Sequence, residues 1–253
     1  MTTSTAEEQR GQLEPAVASA SGYGWQRWAT ALARREQERL AGFGAVVILG
    51  FLAGAAAVYG FTWLAGEMLE HETNQMDIAA ASFIQQWRSP AMDVIARIIS
   101  LFGSEIVLVL GLLLLALLAW QRRWGAATLL VLITGGAQLL NDLLKSLYQR
   151  ARPEPLAGLI AAQTWSFPSG HAMVSAAFYL FLAYLAWRLV RGWWRWLLAV
   201  GLLVLVVLIG LSRIYLQAHY LSDVIAGYVA GFVWTDAVII GSRVLGTRRT
   251  LRS

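Results

Sequence analysis

Residues 100–120 read SLFGSEIVLVLGLLLLALLAW, with Glu105 as their single charged residue. A helix of about 20 apolar residues crosses the hydrocarbon core of a bilayer, so this stretch is long enough to span a membrane. Similar runs recur along the chain, whose composition is 58% hydrophobic with a mean hydropathy of +0.56. The sequence therefore predicts an all-α, polytopic membrane protein.

Six such runs predict a six-transmembrane-helix bundle. They cover residues 42–65, 100–120, 125–145, 170–190, 193–212 and 221–241. The predicted domain extends over residues 42–241. It lies between a cytoplasmic, partly disordered N-terminal tail at 1–41 and a cytoplasmic C-terminal tail at 242–253.

A shorter segment between the first two predicted spans has a helical period of its own. Its apolar positions are Met76, Ala79, Ala80, Phe83, Ile84 and Trp87. This spacing places them on one face of a helix, which predicts an interfacial helix lying flat on the outer surface. Gating of lipid entry and simple packing are both open as its role, and packing is favoured.

The basic residues are divided unequally between the two sides of the predicted spans. Fourteen of the 20 Lys and Arg side chains lie on the side that carries both termini. The positive-inside rule makes that side cytoplasmic, in the plasma (inner) membrane. The six on the extracytoplasmic side are Arg88, Arg97, Lys145, Arg150, Arg152 and Arg213.

Composition also excludes several classes of function. The chain has no cysteine and three histidines, which excludes thiolate chemistry and leaves little for a metal site. We therefore predict neither a metal nor another cofactor. The arginines flank apolar runs and form no basic groove. The net charge of +5 thus indicates membrane lipids as partners and no nucleic acid.

Three polar strings border the spans on the predicted extracytoplasmic side. The first is KSLYQRARP at 145–153, which contains the only lysine of the chain. The second is SFPSGH at 166–171, and the third runs from Ser212 and Arg213 to His219 and Asp223. Cations, a hydroxyl, a glycine and two imidazoles at a membrane edge are the groups that phosphoryl transfer requires.

Each string also has a simpler explanation. His219 and Asp223 are four apart and share a helix face, so the carboxylate could orient the imidazole or merely cap the helix. Ser169 and Gly170 suit a helix N-terminus that binds an anion, with His171 at its mouth, but they also suit an ordinary cap. Lysine and arginine at span ends, as at Lys145, Arg152 and Arg213, are commonly snorkelling anchors.

Taken together, the strings K-x6-RP, PSGH and SR-x5-H-x3-D resemble those of the type 2 phosphatidic acid phosphatase superfamily. The likeness covers about residues 42–241, including the six-span layout. The matching residues are Lys145, Arg152, Pro153, Pro168, Ser169, Gly170, His171, Ser212, Arg213, His219 and Asp223.

The resemblance implies metal-independent hydrolysis of a lipid phosphate or pyrophosphate. The implied substrates are of the undecaprenyl pyrophosphate, phosphatidylglycerol phosphate or phosphatidic acid type. His219 would form a phosphohistidine, Asp223 would orient it, and His171 would protonate the departing oxygen. The implied phosphate-binding residues are Lys145, Arg152, Ser169, Gly170 and Arg213.

Two alternative functions remain open at this point. The phosphohistidine could pass its phosphoryl group to a lipid or sugar hydroxyl, which would make the protein a lipid phosphotransferase. A non-catalytic lipid-binding membrane protein would need the cations but neither histidine.

The scarcity of metal ligands generates a first prediction. Phosphate release by the purified protein should be unchanged after treatment with EDTA, because no step implied by the resemblance uses a metal. A loss of activity that a divalent ion restores would contradict this expectation.

Overall fold

Apolar runs of this length form helices in a membrane because a helix satisfies its own backbone hydrogen bonds. The computed structural model describes Gly44 and residues 47–70, 72–153 and 165–250, with side chains as far as Leu245. The predicted tail at 1–41 lies outside the described residues. Within the described residues the backbone forms eight helices and no strand: α1 Val47–Leu69, α2 Asn74–Gln85, α3 Pro90–Leu101, α4 Glu105–Trp120, α5 Trp124–Tyr148, α6 Gly170–Leu189, α7 Trp194–Tyr215 and α8 Leu221–Thr250.

The predicted all-helical class with six membrane-spanning segments is confirmed. Among the residues with assigned positions, six helical segments are long and apolar enough to cross a membrane. Five correspond to α1, α5, α6, α7 and the part of α8 up to Leu245, and α3 with α4 supplies the sixth. The first span ends at Leu69, four residues later than predicted.

The second span is longer than its sequence prediction because a separate helix precedes it. Ser89 is the N-cap of α3 and its Oγ accepts a hydrogen bond from the Met92 amide, while Pro90 occupies the first helical turn. A turn at residues 102–104 then separates α3 from α4. Gly103 lies in this turn and is buried, at a place where the chain passes close to α6.

Helix α6 is the centre of the described bundle. Ala177, Phe178 and Phe181 have no exposed surface, and α6 contacts α4, α5, α7 and α8. A helix that is apolar on every side is expected in such a central position. The N-terminus of α6, which carries the PSGH string, is therefore surrounded by the ends of other helices.

Two glycines let α8 approach α6 closely. A methyl group at Gly227 would lie 2.7 Å from the Ser169 carbonyl oxygen and 3.0 Å from Ala172 Cβ. One turn on, a methyl group at Gly231 would meet the Met173 carbonyl and would lie 3.1 Å from Ala176 Cβ. Small residues at helix contacts permit such backbone approach in membranes, and here the contact fixes the start of α6 against α8.

A helix is present at the predicted interfacial segment as α2, but two of its polar residues, Asp77 and Gln85, face the protein. Met76, Phe83 and Trp87 of the predicted apolar stripe are 40, 63 and 67% exposed, whereas Asp77 is 2% exposed. Ile84 is the large stripe residue that packs inward, against Ala172, Ile214 and Val224. The other large side chains of the predicted apolar stripe therefore face outward, away from the rest of the protein.

The α6–α8 contact generates a second prediction. Gly227→Ala should destabilise the protein by about 1–3 kcal/mol, because the added methyl group is too close to a backbone carbonyl that cannot move alone. Thermal unfolding in detergent measures the effect. Gly241→Ala in the same helix is the control, since nothing lies within 4 Å of its added methyl group; equal melting temperatures for the two variants would refute the prediction.

Candidate active site

Seven of the eight predicted site residues lie at one end of the bundle around a single cavity or bond directly to its lining. The cavity has a volume of about 830 Å³. Its polar lining includes Lys145, Arg152, Gly170, His171, Arg213 and His219. Asp223 contacts His219 from behind, and the eighth residue, Ser169, precedes Gly170 in the chain. The folding of the bundle thus brings the three strings together.

Lys145 lies in the last turn of α5, with its Nζ 3.0 Å from the Trp165 carbonyl oxygen, to which it donates. Both carboxylate oxygens of the neighbouring Asp142 accept from Gln138 Nε2 at 3.0 and 3.1 Å, and among the described residues Asp142 forms no ion pair with Lys145. Lys145 therefore keeps its ammonium group at the cavity.

Left-handed backbone at Gln149, with φ 46°, ends α5 and turns the chain back across the bundle. Arg152 then donates to the Ala218 carbonyl oxygen at 2.9 Å, and its Nη1 lies 3.4 Å from His219 Nε2. The Ser166 amide donates to the Arg150 carbonyl at 2.8 Å, which ties the two ends of this loop together.

The N-terminus of α6 is fixed from three sides. The Ser169 amide donates to the backbone carbonyl of Asp223 at 3.0 Å, and Asn141 Nδ2 donates to the Pro168 carbonyl at 3.3 Å. A methyl group at Gly170 would lie 3.0 Å from Asn141 Oδ1, so a larger residue would crowd this contact. Ser169 is the N-cap by position but its hydroxyl does not cap; it is buried and has no partner among the described residues.

His171 and Arg213 reach the cavity from α6 and α7. Gly103 lies against the His171 ring, since a methyl group there would be 3.2 Å from Cδ2 of the imidazole. Arg213 Nη1 donates to Ser100 Oγ at 2.6 Å, which orients the guanidinium from α3. Both side chains line the cavity that His219 also lines.

His219 lies in the turn between α7 and α8, where Gln217 is left-handed with φ 55° and the His219 amide donates to the Arg213 carbonyl at 3.3 Å. Its Nδ1 is 3.4 Å from Asp223 Oδ2 and 3.4 Å from Ser166 Oγ. Its Nε2 faces Arg152, a lining residue and an obligate donor. This environment favours a proton on Nδ1 and a lone pair on Nε2.

Asp223 is fully buried and both of its oxygens are hydrogen bonded. Oδ1 accepts from Arg150 at 2.6 Å, and Oδ2 accepts from the Tyr220 amide at 3.0 Å and from Ser166 Oγ. The Tyr220 bond is one half of a capping box at the start of α8. Asp223 therefore caps the helix and orients the imidazole at once, so the two explanations of this residue are compatible.

Burial and the neighbouring charges decide the protonation states of His219 and Arg150, which lie in loops outside the spans. Desolvation lowers the pKa of His219 to about 4, against the smaller raising effect of Asp223, so the ring is neutral at pH 7. Burial also lowers the pKa of Arg150, but the Asp223 and Asp77 carboxylates more than compensate and raise it above its usual value. A neutral imidazole and a charged guanidinium result.

Beyond its polar end, the cavity continues between α4 and α5 as an apolar groove. Leu108 and Leu112 of α4 and Val131 of α5 line it, and each is at least half exposed. Lining residues with so much exposed surface show that the groove opens sideways. A molecule with a charged head and an apolar tail fits this shape.

Three functional candidates were missed by sequence reasoning. Asp77 of α2 and Arg150 form a 2.7 Å ion pair, and Ser166 bonds to Asp223 next to His219. Ser166 and Arg150 lie inside the polar strings, so their positions in the sequence could have marked them as site residues. No sequence pattern marked Asp77, because it lies outside the apolar stripe of its helix and outside the three strings.

No group of three His, Cys, Asp or Glu side chains that could hold a metal ion occurs in the part of the chain that the structure describes. The cationic lining instead suits an anion.

Comparison with known proteins agrees with this arrangement. The profile of the PAP2 superfamily matches residues 126–244. Phosphatidylglycerophosphatase B of Bacillus subtilis (strain 168) is 30% identical over 189 residues, which cover 74% of this chain and 88% of the relative. Lipid A 1-phosphatase of Rhizobium etli is 35% identical over 104 residues, or 37% of this chain and 40% of the relative.

Solved structures show the same fold. The crystal structure of a transmembrane PAP2-type phosphatidylglycerolphosphate phosphatase from Bacillus subtilis superposes with a TM-score of 0.67 at 28% identity, covering 74% of this chain and 94% of that chain. Aquifex aeolicus LpxE shares the fold with a TM-score of 0.52 at 24% identity, covering 65% and 94%.

Fold, site and relatives together define an integral membrane phosphatase that acts on lipid phosphates. The chain belongs to the PAP2 superfamily, as the resemblance of its three strings predicted.

The buried His219 generates a third prediction. Between pH 6.5 and 4 the His219 ring is protonated in the unfolded protein but neutral in the folded protein. The free energy of unfolding should therefore fall as the pH falls through this window. At pH 5 the loss is about 2 kcal/mol. Melting temperatures from pH 7 to 5 should drop more steeply for the wild type than for His219→Gln, and parallel curves would contradict the assignment.

Proposed function

We propose that this protein hydrolyses lipid phosphates or pyrophosphates at the extracytoplasmic face of the membrane, through a phosphohistidine on His219. The observation that supports this most directly is the environment of His219. Its Nδ1 faces Asp223, and its Nε2 faces the cationic cavity beside Arg152. A neutral imidazole oriented in this way is an activated nucleophile.

The substrate phosphate would bind among the cations at the polar end of the cavity. Lys145, Arg152 and Arg213 present their donors there, and the start of α6 adds the positive end of a helix dipole at Gly170. The unpartnered hydroxyl of Ser169 is a further candidate donor to a phosphoryl oxygen. The acyl or isoprenoid chain would occupy the apolar groove between α4 and α5.

In the first chemical step, Nε2 of His219 forms a bond to phosphorus as the bond to the departing oxygen breaks. His171, which lines the same cavity, donates its proton to that oxygen. The ring of His219 keeps its proton on Nδ1 and gains positive charge, which Asp223 stabilises. The three cations neutralise charge on the equatorial oxygens of the phosphoryl group.

In the second step, water attacks the phosphohistidine. His171, now neutral, takes a proton from the water as it bonds to phosphorus. The bond to Nε2 breaks, inorganic phosphate leaves, and both histidines return to their initial states. His171 thus recovers from water the proton that it gave to the departing oxygen, and His219 keeps its own throughout.

Charge supports the proposed side of the membrane. With six spans both termini would lie on one side, together with fourteen of the 20 basic residues. The positive-inside rule makes it cytoplasmic, with the cavity on the opposite face. Phosphatidylglycerol phosphate, phosphatidic acid and undecaprenyl pyrophosphate all combine the head and tail that this cavity fits.

A fourth prediction tests this function. Protein purified in detergent should release inorganic phosphate from at least one of these three lipids, and His219→Ala should lose activity by about 10³-fold or more, because no other group replaces the nucleophile. His71→Ala is the matched control, since His71 belongs to none of the three strings; it lies outside the described residues.

Full activity of His219→Ala would overturn the proposal. Binding of the lipids without turnover would favour the non-catalytic alternative. Transfer of the phosphoryl group to an added lipid or sugar alcohol, in place of phosphate release, would favour the phosphotransferase.

A further inference from the structure

One guanidinium, that of Arg150, is shared by two buried carboxylates. Its Nη1 lies 2.6 Å from Asp223 Oδ1 and its Nη2 lies 2.7 Å from Asp77 Oδ2. The side chains of Asp77 and Asp223 are 1 and 0% exposed. The guanidinium also stacks on the ring of Tyr220, with Cζ 4.1 Å from the ring centroid. Charges this deep are costly to desolvate, and the pairing offsets that cost.

Asp77 comes from α2, outside the six spanning segments. Its Oδ1 accepts from the Ser222 amide at 2.9 Å, and its Oδ2 accepts from Ser222 Oγ at 2.7 Å. Arg150 Nη1 also lies 2.7 Å from Ser222 Oγ, so five hydrogen bonds or ion-pair contacts connect Asp77, Arg150, Ser222 and Asp223. A neutral side chain would hold α2 in place with less desolvation, so the buried charge of Asp77 calls for an explanation.

The electrostatic environment of His219 explains why a buried negative charge is present at Asp77. Arg150 paired with Asp223 alone would cancel the charge that stabilises a positive imidazole. With Asp77 included, two carboxylates and one guanidinium carry a net charge of −1. This charge opposes the cations and the second imidazole that surround His219 from other elements: Lys145 on α5, Arg152 after it, His171 on α6 and Arg213 on α7.

We infer that Asp77 and Arg150 are positioning residues that act through Asp223 and set the net charge presented to His219. Asp77 keeps this cluster negative, so that the positive ring of the phosphohistidine is stabilised. Arg150 holds Asp223 in place and limits its charge. The inference rests on the proposed function, because it takes His219 as the nucleophile.

The test uses the signs of two opposite charge changes. The pH dependence of kcat/KM is measured with phosphatidic acid in detergent micelles for Asp77→Asn, Arg150→Gln and the double variant. Asp77→Asn removes a negative charge and should move the acid limb, where His219 protonates, to lower pH by about half a unit or more. Arg150→Gln should move it to higher pH, and the double variant, again with a net charge of −1, should return it to the wild-type position.

Asp93→Asn is the matched control. Asp93 lies on α3, and its Oδ1 accepts from Tyr215 Oη at 2.8 Å and lies 3.7 Å from Arg88 Nε. Within the part of the chain that the structure describes, it has no bond to Asp77, Arg150 or Asp223. Its acid limb should remain at the wild-type pH.

A purely structural role for the cluster predicts a different pattern. Both single variants would lose activity and melting temperature, the losses would accumulate in the double variant, and no limb would move; this result would overturn the inference. Should Asp77→Asn not fold, Arg150→Gln alone still decides: an acid limb displaced to higher pH supports the inference, and a limb at the wild-type position overturns it. His219→Ala in the same assay separates the two proposals: if it stays active, the nucleophile is wrong, and if it is inactive while all limbs coincide, only the role of Asp77 and Arg150 is wrong.

Discussion

A carboxylate without exposed surface, that of Asp223, connects segments that are far apart along the chain. Its oxygens accept from Arg150, Ser166 and the Tyr220 amide, and its backbone carbonyl accepts from the Ser169 amide. An ionised carboxylate at this depth would cost several kcal/mol without these donors. The loop after α5, the start of α6 and the start of α8 are therefore held in one arrangement by the side chain and the backbone carbonyl of a single residue, Asp223.

The close contact of α6 with α8 makes this arrangement possible. Because Gly227 has no side chain, the Ser169 carbonyl oxygen can lie 2.7 Å from the position that a Cβ would occupy, and the PSGH string reaches Asp223. The same approach brings Gly170 and His171 to the cavity. Packing of small residues in the apolar part of the bundle thus determines the geometry of the polar part.

The sequence was sufficient to predict the helical class and most of the site, for two different reasons. Apolar runs of about 20 residues report membrane spans directly, and the three strings hold their residues at fixed distances from helix ends. Helix α3 was missed because the predicted second span began at residue 100 and residues 90–99 were assigned to no element, although Ser89 and Pro90 form a standard start signal.

Asp77 was missed for a physical reason that concerns membrane proteins in general. A stripe such as Met76, Phe83 and Trp87 would face the core of a soluble protein, and its polar side would face water. Here the stripe is exposed and the carboxylate faces inward. Where the surroundings are partly lipid, periodicity still identifies the helix but no longer tells which face packs.

Because the cavity opens sideways between α4 and α5, the rate at which the enzyme meets its substrate depends on the substrate's concentration within the membrane. Drawing a sixteen-carbon chain out of a bilayer into water costs roughly 12 kcal/mol, at about 0.8 kcal/mol per methylene. That exceeds the free energy of a micromolar binding event, about 8 kcal/mol. If the substrate enters through the lateral groove lined by Leu108, Leu112 and Val131, its hydrocarbon chain stays among the lipid chains of the bilayer. Only its head group moves from the membrane surface into the protein. Turnover then depends on the mole fraction of substrate within the leaflet, and dilution by inert lipid slows the enzyme even when the amount of substrate per volume is constant.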